Sequence, residues 1–129
     1  MADRFLAGGV NTADSPIGHE LIAGNTHLLV DRKITVAQGQ VLRRGSVLGA
    51  SSAGYYSLAQ AAATDGSAEP LGVLAHDIDT TAAAADTQIY ERGDFNEAAL
   101  IFGAGLDADA VRAKFRALGI FLIKPYGAA

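Results

Sequence analysis

Glycine punctuation is what most narrows the folds open to this chain. From Val30 to Asn96 the apolar runs are brief, and one after another meets a glycine: Arg44-Gly45-Ser46-Val47-Leu48-Gly49, then Asp65-Gly66 leading to Leu71-Gly72-Val73-Leu74-Ala75, then Ile89-Tyr90-Glu91-Arg92-Gly93-Asp94. Glycine inside a β-favouring run marks a bulge or sharp bend, so the segment predicts short, strongly bent strands rather than a flat open sheet. Core patterning begins at His27-Leu28-Leu29-Val30 and continues at Ile34-Thr35-Val36. Val41-Leu42, Ser46-Val47-Leu48-Gly49, Tyr55-Tyr56-Ser57-Leu58 and Gln88-Ile89-Tyr90-Glu91 supply further strands, and Asp65-Gly66 a tight turn. Thr80 to Ala85 reads as a loop, and Asn96 to Phe102 fits strand or helix.

One helix stands out. Asp107 can cap it, Val111, Phe115 and Leu118 fall on one face, and Gly119 offers a stop. Asp107 and Asp109 precede Arg112, Lys114 and Arg116, the order a helix dipole favours. Ile120-Phe121-Leu122-Ile123 then reads as a buried strand ended by Lys124-Pro125. The expected fold class is α+β and β-rich: a small barrel-like core over residues 25–129 with one main helix.

Residues 1–24 differ in kind. Glycine, asparagine, aspartate and proline recur without any sustained helical or alternating period, which predicts an extended amino-terminal arm. Phe5, Leu6, Val10, Ile17, Leu21 and Ile22 are spread along it as anchors that a purely solvated linker would not need. The arm is therefore expected to dock on something.

Composition narrows the functions. With 129 residues and no cysteine, the chain supports one modest core and can form neither disulfides nor thiolate metal sites, so association is the expected supplement to stability. A net charge of -4 argues against direct nucleic-acid binding, which needs clustered positive charge. No apolar window approaches the ~20 residues of a membrane span, and Asp3 and Arg4 interrupt any leader-like start, so a soluble protein made in the cytoplasm is expected.

His76-Asp77-Ile78-Asp79 is the strongest candidate for a metal or acid-base site. On a strand, however, His76 shares a face with Ile78 while Asp77 and Asp79 share the other, so the preferred reading is a polar strand end and turn. His19, Glu20 and His27 have no spacing that fixes a geometry, and surface or interface roles are expected for the histidines. Ser15 and Ser46 lack a nucleophile elbow. Gly103-Ala104-Gly105 precedes the helix but lacks the remaining signature of a phosphate loop, and Asp107 and Asp109 would repel an anion there. Tyr55, Tyr56 and Phe121 are too few for a stacking platform, and Tyr55 and Tyr56 are expected to divide between core packing and subunit contact. No catalytic residue, cofactor or metal is assigned.

The glycine phrases, with Asp65-Gly66-Ser67-Ala68-Glu69-Pro70-Leu71-Gly72-Val73-Leu74-Ala75-His76-Asp77-Ile78-Asp79 at their centre, resemble the head decoration proteins of tailed bacteriophages over roughly Asp31 to Asn96. The resemblance implies a non-enzymatic virion protein that adds as a homotrimer to the outer surface of an expanded capsid and stabilises it against the pressure of packaged DNA. It implies the major capsid protein lattice as partner and the arm, with its six apolar anchors, as capsid contact. Two other readings stay open from the residues: a small metal- or ligand-binding β-barrel enzyme around His76, Asp77 and Asp79, and another virion component such as a tail or baseplate domain.

Overall fold

A computed structural model describes residues 20–124. Among the described residues there are nine strands, β1 (Ile22–Gly24), β2 (Val30–Val36), β3 (Val41–Leu42), β4 (Val47–Ala50), β5 (Tyr56–Leu58), β6 (Gly72–Leu74), β7 (Ile78–Asp79), β8 (Ala85–Asn96) and β9 (Ile120–Ile123), and one main helix, α1 (Ala108–Arg116). The fold is β-rich, as the sequence predicts.

The long strand β8 organises the rest. Its first half pairs antiparallel with β2 from Ala85 to Arg92, and Ile89 and Tyr90 also pair with β6. β6 continues to β4, β4 to β5, and β5 returns to β2 through Val36↔Tyr56, so the pairing closes into a ring. β3 and β7 form a separate two-stranded ladder beside it. Three of the ring strands, β4, β5 and β6, are short, while β2 and β8 run longer.

At Gly93 β8 leaves this ring and changes partners. Beyond it, Phe95 pairs with Ile22 of β1 and Leu122 of β9. Gly93 has φ 146°, and a Cβ there would lie 2.4 Å from the Leu29 side chain, so glycine lets the strand pass under Leu29 as it turns.

Adjacent strand residues point to opposite faces, and this divides the core in two. Ile34, Val36, Leu48, Tyr56, Leu74 and Ile89 come from all five ring strands and fill the inside. Val47, Val73, Phe95, Val111, Phe115 and Ile120 pack between the sheet and α1. Val47-Leu48 and Val73-Leu74 serve both cores, which accounts for their unbroken apolar runs.

Several segments depart from expectation. Leu28 and Val30 are exposed rather than core, because Thr26–Leu28 forms a single 3-10 turn and the strand begins only at Val30. Leu118 is 44% exposed although Val111 and Phe115 are buried, because α1 stops at Arg116 and the Leu118 and Gly119 amides close tight turns onto Phe115 and Arg116. β9 is buried on one face only: Ile120 and Leu122 face the core, while Phe121 and Ile123 face out. Asn96 to Phe102 resolves into a 3-10 turn at Glu97–Ala99, capped by the Asn96 side chain, followed by a bridge from Ile101 to Ser46.

Candidate functional site

The polar residues singled out by sequence are occupied in holding the backbone. Asp77 accepts a hydrogen bond from the Arg44 amide at 2.7 Å, tying the turn after β6 to the approach to β4. Asp79 accepts from both the amide and the hydroxyl of Thr81, at 2.9 and 2.6 Å, which lowers its pKa below the usual carboxylate value. His76 Nε2 lies 3.2 Å from the Gln88 side-chain oxygen. The three side chains thus engage three different segments, and no group of three or more histidine, aspartate or glutamate side chains is placed to hold a metal among the described residues. Asp65 repeats the device of Asp79: the Ser67 hydroxyl and amide donate to it and lower its pKa.

Ser46 is buried, and its hydroxyl donates to the Arg43 carbonyl at 2.7 Å, a turn contact rather than a poised nucleophile. His27 sits in the Thr26–Leu28 turn, and Glu20 opens the described chain. His19 and Ser15 lie outside the described residues. At Gly103 a Cβ would lie 1.9 Å from the Ala59 carbonyl oxygen, so the glycines before α1 let residues 103–105 press against residues 59–61. That close approach accounts for the glycines without an anion.

The aromatic candidates separate as the strand period requires. Tyr56 is 6% exposed inside the ring, where its hydroxyl accepts a hydrogen bond from Arg32, while Tyr55 is 46% exposed. Tyr55 therefore remains a surface residue and Tyr56 does not. Arg32 also meets Glu91 at 3.4 Å and borders a cavity of about 480 Å³ that Val30, Leu71, Ile89 and Leu118 line as well. Tyr56, Glu91 and Arg92 complete the lining, so the cavity mixes charged and apolar side chains without an arrangement of base and nucleophile.

Of the arm anchors, Phe5, Leu6, Val10 and Ile17 lie outside the described residues. The structure places the other two in the domain. Leu21 is buried in the helix-side core, its carbonyl accepting the Asn96 amide at 2.8 Å, and Ile22 is half-buried in β1. Their partner strand lies some seventy residues downstream, so no local pattern separates them from the anchors before them.

Large apolar side chains are exposed in several places, among them Val41 on β3 and Tyr55 before β5, and one set lies along the second half of β8. Val30 pairs with Arg92, Leu118 shares the cavity with both, Phe121 pairs with Asp94, and Ile123 with Asn96. Val30, Leu118, Phe121 and Ile123 are all exposed. Sequence reasoning missed Phe121 and Ile123, because an unbroken apolar run carries no alternation to mark an outward face.

The described domain is a ring-like sheet whose polar clusters serve its own turns and which exposes several large apolar side chains. The family described as bacteriophage lambda head decoration protein D matches residues 11–123, and the chain belongs to that family. No individually curated protein matches the chain. The match extends well beyond the central phrases that carry the resemblance, taking in α1 and β9. As a phage head decoration protein the chain is a structural component of the virion and associates with the capsid. No helix among the described residues is long and apolar enough to cross a membrane.

Proposed function

We propose that this protein adds to the outer surface of an expanded capsid as a homotrimer and holds neighbouring capsid subunits together against the pressure of packaged DNA. The observation that carries the reading is the family match over residues 11–123. The engagement of His76 by the Gln88 side chain, and of Asp77 and Asp79 by the Arg44 and Thr81 amides, supports it over a catalytic alternative. Residues 1–19 supply the arm, with Phe5, Leu6, Val10 and Ile17 as capsid contacts, and Tyr55 is a candidate for subunit contact.

Energetics constrain how such an arm works. Nineteen residues would reach about 65 Å if fully extended, ample to cross a neighbouring subunit. Ordering each residue costs about 1–2 kcal/mol, a net hydrogen bond returns about 1 kcal/mol, and a buried apolar side chain about 1.5–3 kcal/mol. The apolar anchors must therefore contribute, and three arms on one trimer attach together through their effective concentration. The test is to add purified protein to undecorated expanded heads and to unexpanded ones. Saturable binding to expanded heads alone is expected. No binding to either would remove the proposal.

A further inference from the structure

The end of the ring opposite Gly93 carries a pocket that capsid attachment does not use. Val36, Ala50, Tyr56 and Ala85 meet there through the pairs Val36↔Ala85, Val36↔Tyr56 and Ala50↔Tyr56. The residues beside them, Ala37, Gln38, Ser51, Tyr55 and Ala84, join Ser57 and Asp65 around a cavity of about 360 Å³, within the size range of small-ligand sites. Tyr56 turns into the ring, so Tyr55 and Ser57 share the outer face. Hydrogen bonds fix the walls in place. The Ser52 amide donates to the Asp65 carbonyl at 2.8 Å, the Ser51 amide to the Tyr55 carbonyl at 2.8 Å, and the Gln38 side-chain amide to the Ala82 carbonyl at 2.9 Å. A site held in this way spares a ligand the cost of ordering it.

The polar groups left over define the ligand. Gln38 directs its Nε2 to the Thr81 and Ala82 carbonyls, which leaves Oε1 to accept. Asp65 uses Oδ1 for the Ser67 amide and hydroxyl, and Oδ2 has no hydrogen-bond partner among the described residues. The Ser67 contacts hold that carboxyl ionised, and an ionised carboxylate only accepts, so the ligand must donate. The Ser51 and Ser57 hydroxyls donate or accept. No cationic side chain lines the cavity, which argues against an anion. One exposed carboxylate attracts a cation too weakly in water to hold it by charge. Acceptors, hydroxyls and the exposed Tyr55 ring together match a neutral sugar, whose hydroxyls donate and accept and whose C–H face packs on an aromatic ring.

We propose that this pocket binds a neutral saccharide, one pyranose ring lying against Tyr55 with its hydroxyls bonded to Asp65, Gln38, Ser51 and Ser57. Its placement away from the capsid rests on the reading that residues 1–19 make the attachment, because that segment leads into β1 at the Gly93 end. A neighbouring copy seated on Tyr55 would close the pocket, so the two uses of Tyr55 exclude each other. The test is an NMR titration of the full-length protein with glucose, galactose, mannose and N-acetylglucosamine, each to about 100 mM, where a binder of about 10 mM is mostly occupied. At least one sugar should shift the amides of Ser51, Tyr55, Ser57 and Asp65 saturably, and equally at high salt, as a neutral ligand requires. Tyr55→Ala should weaken that binding about tenfold or more and Tyr55→Phe less than about threefold, both with unchanged oligomeric state. Heads decorated with the protein should be retained on beads carrying that sugar, and undecorated heads should not. Binding by none of the four sugars, shifts confined to other residues, or equal binding by Tyr55→Ala would overturn the site. So would salt-sensitive binding, which marks an ion pair to Asp65, and loss of self-association in Tyr55→Ala, which makes Tyr55 a subunit contact. Binding by free protein but not by decorated heads would overturn the outward placement. Failure to decorate heads at all would instead defeat the attachment reading, on which the titration does not depend.

Discussion

Gly103 shows how a single position can hold two segments in place. Its missing Cβ is what admits the Ala59 carbonyl, and nothing in the site can yield, because the opposing atom is backbone. Gly103→Ala should therefore cost about 3 kcal/mol or more in denaturant unfolding, whereas Gly24→Ala, with open space around it, should change stability by less than about 0.5 kcal/mol. Equal effects would contradict the packing of residues 103–105 on 59–61. Asp65 and Asp79 make a pH prediction. Hydrogen bonds from Ser67 and Thr81 lower their folded pKa values below the ordinary 3.8. Their contribution is then complete above the unfolded pKa and is lost as pH falls through the lower folded value. Thr81→Val should move the Asp79 carboxyl titration, followed by NMR, back up toward 3.8, and should destabilise at pH 7 but not once both states are protonated. A titration left in place would show that the Thr81 contacts do not hold the carboxylate.

At the scale of elements, α1 follows most directly from local sequence. The Asp107 side chain accepts the Ala110 amide at 2.9 Å, so Asp107→Ala should lose about 1 kcal/mol, with the melting midpoint falling a few degrees. An unchanged midpoint would mean the cap is not used. The cap, Val111 and Phe115 were legible because they depend on neighbours within two helical turns. Leu118 was not, because its periodicity continues past the residue where the turns onto Phe115 and Arg116 end the helix. β4 and β6 were legible as short segments from their glycines, whereas only Gln88 to Glu91 of the twelve-residue β8 was read as strand; the inward and outward placement of Tyr56 and Tyr55 was legible from the strand period. Partnering was beyond local reading. β1 pairs with β8 across most of the chain, so Leu21 and Ile22 look like arm anchors until Phe95 is placed beside them. In the same way β9 reads as buried throughout, because only its position at the end of the sheet decides that Phe121 and Ile123 face out. Arg112 has a like history: charge order alone suggests a dipole contact, yet its guanidinium also reaches Glu97 and ties α1 to the turn after β8.

For the whole molecule, the two ends of the described chain meet at the close of β8, beside the exposed apolar residues, while the turns elsewhere are secured by their own side chains. This arrangement suits a domain that folds on its own and attaches by one end. Removing residues 1–19 should leave the fold intact, since β1 and the Leu21 contact remain, and should abolish attachment to heads. The measurement that bears most directly on the central claim is a heat challenge of DNA-filled heads at increasing occupancy by this protein, with release of DNA as readout. A ligand that binds the intact lattice and not its dissociated parts must stabilise that lattice by mass action. The rupture temperature should rise with occupancy to a plateau, and protein lacking residues 1–19 should leave it at the undecorated value. A rupture temperature unchanged at saturating occupancy would contradict the capsid-stabilising role.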